Sequence, residues 1–504
     1  MKKLWIPLGV LASILGWIWL WPDITRQYRV MATGADLLLA IVVTALWVLI
    51  FSRWRWTRRL TAVLGLAALA VGARLSVKIV GVTGDLIPIV AWRWAAERHF
   101  EGTARREVKD ALSRVDPLDY PRFLGPRGDA TLPGVRLDRD WSTHPPREVW
   151  RRPVGAGWSS FAVVNGHAIT QEQRGEDECV VCYVLSTGEP EWVHAEKSRF
   201  ESTIGGDGPR ATPTIAGGRV YAYGALGRLG CLDGGTGESI WSREVVTENG
   251  GRVPEWGKSC SPLVLGDRVI VSAGGNGSKS LIAYSSLSGE PAWQGGVGSS
   301  GYASPWPLKL AGVEQIVIFN SGNVRGHDPA TGNVLWEFPW QHEHPNVMQP
   351  VLVGESSVLV SSGYGVGAAL IEVKRDTAGA FSAAAKWQER GLKSKFSNVV
   401  IRGDHAFGLD DGILTCLSLE NGQRAWKGGR YGHGQLLLVE DLILIQVESG
   451  ELALVEADAT AHHELGRVPA LGDKSWNHPA FRPPYLLLRN HHEAVCFELG
   501  TVPF

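Results

Sequence analysis

The residues that could hold a ligand are mainly basic, amide and aromatic side chains spread widely along the chain. We expect them at one opening of a ring of strands, just before the strands that line its channel. Lysine and arginine side chains converging there, with Arg430 beside them, would attract an anionic ligand. A water-filled channel with its charges in mixed pairs is the alternative. The candidate residues are Glu172, Arg210, Lys258, Gln349, Lys395, His433 and Trp476.

Two short motifs resemble sites but favour structural interpretations. Cys179 and Cys182 form a CxxC within an apolar run that predicts a strand. Residues three apart in a strand point to opposite faces, so the two thiols are poorly placed to share a metal ion. Asp410 and Asp411 could act as an acid–base pair, but Asp-Gly412 between two apolar runs predicts a hairpin turn.

The remaining motifs identify no catalytic group and no metal site. The histidine pairs at 462–463 and 491–492 lack partners at the spacing of metal ligands, so we expect exposed loop side chains. Neither a glycine-rich phosphate loop between a strand and a helix nor a Gly-x-Ser-x-Gly elbow occurs. The catalytic residues, if there are any, stay unknown at this stage.

Composition favours a repeat protein over a nucleic-acid-binding one. The net charge of the 504 residues is -1, which excludes a binding surface for nucleic acid built on bulk charge. Glycine is abundant at 61 residues and tryptophan unusually so at 22. Glycine and tryptophan recurring together indicate strands separated by tight turns, with one aromatic residue per unit.

Three apolar runs near the N-terminus predict membrane-spanning helices. They cover residues 4–21, 35–51 and 60–82, and the first two contain no lysine or arginine. A cleaved signal peptide is the alternative for the first run. The Trp-Leu-Trp-Pro-Asp at its end offers no small-residue cleavage site, so we expect an uncleaved helix.

The basic residues predict the orientation of these helices. Lys2 and Lys3 precede the first run, and four arginines crowd the stretch 53–59 between the second and third. The positive-inside rule places both in the cytoplasm. The third run, which contains Arg74 and Lys78, then decides the location of the rest of the chain. If this run spans the membrane, the large C-terminal region faces the periplasm.

An 11-residue pattern recurs five times without gaps. In each copy a small residue ends a strand, a turn closes on glycine, and the next strand carries tryptophan. Glycine supplies the left-handed backbone of the turn, and tryptophan is large enough to fill the space between neighbouring sheets. The copies are Cys182–Trp192, Cys231–Trp241, Ala283–Trp293, Gly326–Trp336 and Cys416–Trp426.

The units around these copies predict the four-stranded blades of a propeller. Two further strand signals precede each copy, and Trp387 closes a degenerate fifth unit. A seventh unit, at 435–468, has lost its tryptophan, and an eighth, from Asn477, lacks a fourth strand. We expect Glu148–Arg152 to supply that strand and so to close a ring without open edges. This gives eight blades, with seven as the alternative.

Most of the cysteines fall at one position of the repeat. Equivalent positions lie in different blades, too far apart for disulfide geometry. We therefore expect them to be small buried apolar side chains. They are Cys182, Cys231, Cys416 and Cys496.

The Asp-x-x-Thr-Gly-x-x-x-Trp core at Asp233–Trp241 and Asp328–Trp336 resembles the tryptophan-docking motif of the PQQ-like repeat. That repeat forms the eight-bladed propeller of quinoprotein alcohol dehydrogenases and of a non-enzymatic lipoprotein scaffold of outer-membrane protein assembly. The resemblance covers roughly residues 145–500, and the N-terminal helices resemble those of membrane-anchored bacterial members. In the dehydrogenases it implies PQQ with calcium or a lanthanide on the propeller axis, under a vicinal disulfide. This chain contains no adjacent cysteines.

These observations predict an all-β, eight-bladed propeller at 146–504, preceded by a membrane anchor at 1–82 and a connector at 83–145. We expect a non-catalytic binding or scaffold module in the bacterial inner membrane, with the propeller in the periplasm. Its partner would be a protein, a peptide or a glycan, and not a nucleic acid. A membrane-bound PQQ-dependent dehydrogenase that oxidises an alcohol or sugar is the alternative. PQQ with calcium would be its cofactor, and the scaffold would need none.

Overall fold

The chain forms two compact units in this computed structural model. The first comprises Met1–His99 and Thr203–Gly205, and the second comprises Phe100–Ser202 and Gly206–Phe504. The stretch 83–145 is therefore divided between the two units. The described residues are 2–21, 24–94, 108, 112–340, 342 and 344–502.

The first unit contains three apolar helices followed by a β-hairpin. Helices α2 and α3 are long and apolar enough to cross a membrane, and their apolar windows bury no residue within the protein. Helix α1 is also apolar, with a shorter apolar stretch of Leu4–Leu20. By length and composition, α2 and α3 are thus candidate membrane spans. The elements are α1 Lys2–Leu20, α2 Arg26–Phe51, α3 Trp56–Ser76, β1 Val77–Val82 and β2 Pro88–Trp92.

The predicted end of the third apolar run at residue 82 is wrong. Helix α3 ends at Ser76, and the chain continues as β1, which pairs with β2. The β-branched residues of Val77–Val82 favour a strand over another helical turn. Lys78 consequently lies opposite Ala91 in the hairpin, whereas Arg74 stays in the last turn of α3.

Among its described residues, the second unit is built from strands and one short helix, α4 Val245–Glu248. The strands before the first blade are β3 Thr131–Leu132, β4 Arg136–Leu137 and β5 Arg147–Pro153. Blades 1 to 4 are β6 Ala162–Val164, β7 His167–Arg174, β8 Asp177–Val184, β9 Pro190–Lys197; β10 Thr214–Ala216, β11 Arg219–Tyr223, β12 Arg228–Asp233, β13 Ser239–Glu244; β14 Leu263–Leu265, β15 Arg268–Gly275, β16 Lys279–Ser285, β17 Pro291–Gly295; β18 Trp306–Leu310, β19 Val313–Asn320, β20 Asn323–His327 and β21 Val334–Pro339. Blades 5 to 8 continue with β22 Val351–Val353, β23 Ser357–Ser362, β24 Gly367–Arg375, β25 Phe381–Glu389; β26 Val400–Arg402, β27 His405–Asp410, β28 Ile413–Ser418, β29 Arg424–Arg430; β30 Gln435–Val439, β31 Leu442–Gln446, β32 Glu451–Glu456, β33 Glu464–Pro469; and β34 Ala480–Arg482, β35 Tyr485–Arg489, β36 Glu493–Glu498, with β37 Thr501–Val502 after them.

These strands form eight antiparallel blades, which confirms the predicted eight-bladed propeller. Within blades 1 to 7 the strands follow one another in chain order from the channel outward, because a tight turn joins each strand to the next. Seven blades have four strands. Blade 7 has five, because β3 adds to its inner edge in parallel with β30.

Blade 8 is completed by β5, as the sequence predicts. Strand β5 pairs with β36, and Trp150 lies opposite Cys496. A second clasp forms where β37 pairs with β4. The ring therefore closes by main-chain hydrogen bonds that cover the edges blade 8 would otherwise expose.

The blade tryptophans dock on the next blade in a recurrent geometry, except Trp336, whose indole N–H donates to Gln315 Oε1 within its own blade. Trp192 lies opposite Cys182 in its own blade, and its indole N–H donates to the carbonyl of Gly234 in blade 2 at 3.1 Å. Its ring covers Gly237, which has a φ of +74° and where an added Cβ would approach the ring to 2.5 Å. Glycine is thus required both for the turn and for the ring above it.

Blade 7 lacks this tryptophan and is covered from outside the repeat. Gly466 stands where the other blades place the ring, opposite Leu454. Trp141, which precedes the first blade, packs its Cβ and ring against Gly466 and is only 6% exposed. A residue distant in sequence therefore replaces the missing docking side chain.

The cysteines are free thiols buried in the blades, as predicted for the four at the repeat position. Cys179 and Cys182 both lie in β8, so the CxxC is part of a strand. Burial raises the pKa of the Cys416 and Cys496 thiols to about 12, which keeps both protonated and unreactive.

Candidate functional site

A girdle of hydrogen bonds encircles the channel at the start of the innermost strands. The Ser160 N–H donates to Thr212 Oγ1 at 3.0 Å, and the Thr212 N–H donates to Ser261 Oγ at 2.9 Å. The same link continues through Ser304 and Gln349 to the next two blades. One polar residue per blade thus ties each inner strand to its neighbour. The girdle residues are Ser160, Thr212, Ser261, Ser304, Gln349 and Asn398, with Gln435 and His478 in blades 7 and 8.

The residues two positions before the girdle form a second ring, at the mouth of the channel. Side chains two apart in an extended segment share a face, so the girdle fixes this ring as well. Most of its members are aromatic, and one is cationic. In blade order they are Trp158, Arg210, Ser259, Tyr302, Val347, Phe396, His433 and Trp476.

Aromatic side chains of this ring contact one another across the channel. The ring centroids of Trp158 and Trp476 are 4.8 Å apart, and those of Trp476 and Phe396 are 4.9 Å apart. Trp256, from the loop before blade 3, reaches Phe396 of blade 6 at 5.9 Å and Tyr302 at 5.3 Å. Blades 3 and 6 stand far apart around the ring, so this path spans the opening. We call these five residues, all partly exposed, the aromatic mouth.

Two cations lie against the aromatic mouth. Lys474 Nζ is 4.2 Å from the ring centroid of Trp476, and burial lowers its pKa to about 8. The guanidinium of Arg210 stacks over Phe200 at 4.4 Å and donates to the carbonyls of Gly206 and Gly208. Burial lowers the pKa of Arg210 to about 10. Both groups remain largely protonated at pH 7, so each places a positive charge at the mouth.

Two further groups shape the mouth. His491 stacks on Trp158 at 5.1 Å between ring centroids, and burial lowers its pKa to about 3. The expectation of an exposed loop histidine is therefore wrong for His491, because the ring of Trp158 covers it. The indole N–H of Trp256 is buried and has no hydrogen-bond partner among the described residues. A buried donor of this kind favours a ligand that brings an acceptor.

Six of the seven candidate residues lie in loops before innermost strands, and Glu172 does not. Glu172 belongs to β7, the second strand of blade 1, and its side chain is fully buried. Its carboxylate accepts hydrogen bonds from Tyr183 Oη at 2.5 Å, Arg174 Nε at 3.0 Å and the Gly155 N–H at 2.8 Å. These bonds use its acceptor capacity for holding blade 1 together.

The other candidates divide between the mouth and the structure beneath it. Arg210, His433 and Trp476 belong to the ring of the mouth, and the ring of His433 contacts Phe396 at 5.6 Å. Lys258 is 1% exposed, and its Nζ donates to the Ala273 carbonyl at 2.7 Å and to Ser300 Oγ at 2.9 Å. The Gln349 side chain belongs to the girdle, where its Nε2 donates to the Ser304 carbonyl at 2.8 Å.

Lys395 and the aspartate pair also have structural surroundings. Lys395 is 2% exposed, and its Nζ lies 5.3 Å from the ring centroid of Tyr364. Asp411 and Gly412 have positive φ angles and form the predicted hairpin turn. Asp410, at the end of β27, is fully buried and pairs with Lys393 Nζ at 2.5 Å and with the amino group of Lys427. These ion pairs use the Asp410 carboxylate within the blade.

Four important residues of the mouth are absent from the sequence-based candidates: Trp158, Trp256, Phe396 and Lys474. Trp158 and Phe396 have a signal in the sequence, because they stand two positions before a girdle residue, as Trp476 does. Trp256 and Lys474 do not occupy that position. They lie in loops whose length differs from blade to blade. Only the folded loops bring them to the opening.

PQQ with a metal ion does not fit the mouth as these residues arrange it. Aromatic rings in contact already cross the opening, so a planar cofactor would have to displace them to enter the channel. The nearby buried carboxylate of Glu448 already accepts from Trp476 Nε1 at 2.8 Å and from the His433 N–H at 3.0 Å. Within the described residues, the donor groups close enough to share a metal ion lie elsewhere, at 167, 182 and 191 and at 456, 458 and 463.

Comparison with known proteins identifies the fold and a family. Residues 142–428, more than half of the chain, match a family model described as outer membrane protein assembly factor BamB. Among solved structures, BamB from Moraxella catarrhalis is similar at 16% identity and a TM-score of 0.50, over 70% of this chain and 97% of that one. A quinohemoprotein alcohol dehydrogenase from Comamonas testosteroni is similar at 12% identity and a TM-score of 0.58, over 78% and 84%. At these identities the structures show the fold alone. No curated protein matches the chain.

Proposed function

Because the chain belongs to the PQQ-like propeller family described as outer membrane protein assembly factor BamB, we propose that it is a non-catalytic binding module. In this proposal the propeller is tethered to the membrane by its N-terminal helices. Its aromatic mouth holds an extended segment of a partner protein. The runner-up is a PQQ-dependent dehydrogenase that oxidises an alcohol or sugar.

The observation that carries the proposal is the path of aromatic contacts across the channel. Trp158, Trp476, Phe396 and Trp256 are in mutual contact and partly exposed, so their faces form a surface at the end of the channel. Rigid aromatic side chains provide much contact area for little loss of conformational entropy, which suits protein recognition. A dehydrogenase needs that space for its cofactor and substrate.

The chemistry of the mouth indicates the kind of segment that it would bind. Aromatic or proline side chains stack on exposed indole faces, and a carboxylate would pair with Lys474 or Arg210. The buried indole N–H of Trp256 calls for an acceptor such as a main-chain carbonyl. An extended acidic and aromatic peptide supplies all three.

Photocrosslinking at the mouth tests this binding. A photoreactive phenylalanine analogue in place of Phe396 should give a protein adduct in cells, and Trp476→Ala should abolish that adduct. The same analogue in place of Leu287, which is 65% exposed in a turn of blade 3, is the control position. An adduct at Phe396 that persists in Trp476→Ala, or equal adducts at both positions, would contradict a binding site at the mouth.

The enzyme alternative is tested on the full chain purified in detergent. PQQ with calcium or a lanthanide is added, followed by alcohols, sugars and a redox dye. We expect no dye reduction, because the mouth leaves no stacking space for the cofactor. Saturable, substrate-dependent dye reduction would overturn the scaffold proposal and favour the dehydrogenase.

The location that we propose is the bacterial inner membrane, with the propeller in the periplasm. It is supported by the candidate spans α2 and α3, by the apolar helix α1 and by the basic residues before α1 and between α2 and α3. Alkaline phosphatase fused after Phe504 should be active, since this enzyme matures only outside the cytoplasm. An expressed but inactive fusion would contradict the periplasmic assignment.

A further inference from the structure

Three adjacent strands of blade 1 bring a histidine, a cysteine and a glutamate together, away from the mouth. His167 begins β7, Cys182 lies in β8, and Glu191 lies in β9. His167 Nδ1 is 2.5 Å from Glu191 Oε2, and Cys182 Sγ donates to the same oxygen at 3.6 Å. All three donor atoms lie within 4.8 Å of one another. Cys182 and Glu191 are buried, and the His167 side chain is 16% exposed.

The orientation of Glu191 results from a β-bulge. Cys182 pairs with Trp192 and Tyr183 pairs with Pro190, so Glu191 is the extra residue between them. A bulge leaves one residue out of the ladder and redirects its side chain. Here the redirected carboxylate faces Cys182 and, through it, the diagonal neighbour His167.

The other blades show that the fold itself does not require these residue types. All seven have the same bulge, and in six of them the bulged residue is apolar. Blade 6 retains two of the three groups, His405 and Cys416, but has Ala425 in place of the glutamate. The bulged residues of blades 2 to 8 are Ile240, Ala292, Leu335, Lys386, Ala425, Leu465 and Val149.

We propose that His167, Cys182 and Glu191 form a binding site for a zinc-class divalent ion, with one coordination position left for an exchangeable ligand. Imidazole nitrogen, thiolate sulfur and carboxylate oxygen are the ligands of protein zinc sites, and three of them with an open position is a recurrent set. In a tetrahedral site the nitrogen and oxygen stand about 3.3 Å apart and the sulfur and oxygen about 3.6 Å apart. The sulfur–oxygen distance already matches. The nitrogen–oxygen pair must open by about 0.8 Å, which a rotation of the partly exposed His167 ring allows.

Metal binding by the full chain tests the site. The protein in detergent is stripped with a chelator and titrated with Zn²⁺, and then with Co²⁺ as a spectroscopic probe. We expect one tight equivalent of Zn²⁺ and a thiolate-to-cobalt charge-transfer band in the near ultraviolet. The partly exposed group of Glu456, Asp458 and His463 contains no sulfur, so Co²⁺ bound there gives no such band.

The repeat provides matched variants. Cys182→Ala and Glu191→Ala place at each position a residue that blade 3 carries there, as Ala283 and Ala292. Each should remove the cobalt band and weaken Zn²⁺ binding. Loss of a residue that only hydrogen-bonds to a metal ligand weakens binding roughly 10- to 100-fold, and loss of a ligand itself should weaken it more. Cys416→Ala should change neither. Ala425→Glu should add a second equivalent in blade 6, beside His405 and Cys416.

Three outcomes would overturn the proposal. The first is a stripped protein that takes up no Zn²⁺. The second is binding that survives both Cys182→Ala and Glu191→Ala. The third is a cobalt complex without the thiolate band, which would place the ion away from Cys182. Circular dichroism of each variant checks the fold, so that loss of binding is separated from loss of structure. The proposal is independent of any ligand at the mouth.

Discussion

Ring closure by β5 makes a prediction that a single tryptophan can test. Trp150 is 9% exposed, donates its indole N–H to the Leu185 carbonyl in blade 1 at 2.8 Å and covers Gly188. It is the docking side chain of β5, the strand that precedes the first blade in the chain but completes blade 8. Removing it should loosen the attachment of β5, which continues along the chain into blade 1 and joins blade 8 only by pairing with β36.

The magnitude comes from the contacts of Trp150. Truncating a buried tryptophan to alanine costs about 3–5 kcal/mol, because the ring's contacts are lost and a cavity remains. The bond to Leu185 contributes about 1 kcal/mol within that sum. Trp150→Phe should therefore lower the free energy of unfolding much less than Trp150→Ala does.

Trp387 is a matched control in blade 5. It is also 9% exposed, donates to the carbonyl of Leu419 at 2.9 Å and covers Gly422 as Trp150 covers Gly188. Its strand, β25, is joined by a turn to β24 of the same blade, whereas β5 has no chain connection to its partner β36. Trp387→Ala should thus cost a similar free energy but leave its strand tethered to its blade.

The assay is urea unfolding of the full chain in detergent, with hydrogen exchange and limited trypsin digestion in parallel. In Trp150→Ala we expect exchange to accelerate in β5 and β36, and trypsin to cleave after Arg147 and Arg151 before the other blades open. In Trp387→Ala these strands should stay protected. Equal patterns in the two variants would refute the view that β5 closes the ring as a separable strand.

Three further predictions concern stability and its dependence on pH. Trp141→Ala should lower the free energy of unfolding by about 3–5 kcal/mol, because Trp141 covers Gly466; a change below about 1 kcal/mol in urea titration would show that blade 7 needs no cover. His478 is buried with its pKa lowered to about 4, so the unfolded state binds more protons below about pH 6.5 and stability should fall from pH 6.5 towards 4. His478→Gln should flatten that fall, which paired titrations at pH 7 and 4.5 measure. Lys258 has its pKa lowered by burial to about 8, so stability should rise as pH increases from about 8 to 10.4. In Lys258→Met that share of the rise should vanish; a slope identical to that of the natural protein would contradict the assignment.

The propeller could be predicted from sequence because its signals are local and repeated. Glycine at the turn and tryptophan ten residues after the small strand-ending residue recur, so each unit supports the others. The strand at 148–152 could be placed in blade 8 because that unit has one strand too few. The end of α3 was harder, since apolar β-branched residues after Ser76 suit either a helix in a membrane or a strand.

The mouth could be predicted only in part. The position of the loops before inner strands is set by the repeat, but the fate of each side chain depends on partners far away in sequence. The Lys258 side chain points away from the mouth because its amino group donates hydrogen bonds to the Ala273 carbonyl and to Ser300. The Gln349 side chain does so because its amide donates to the Ser304 carbonyl. Glu172 was misplaced because β7 extends further than the corresponding strand of blade 2.

A repeat protein carries its own controls, and this bears on how both proposed sites are judged. The fold makes the same demands at equivalent positions of every blade, so a residue type kept in most blades serves the fold. The docking tryptophans are of this kind. A polar residue that one blade holds against the pattern has no such explanation: Glu191 stands where six blades have apolar residues. The ring of residues two positions before the girdle differs again, because these residues vary in type between blades while sharing one position. Shared position with varied chemistry is what a single asymmetric ligand on the axis requires, since each blade meets a different part of it.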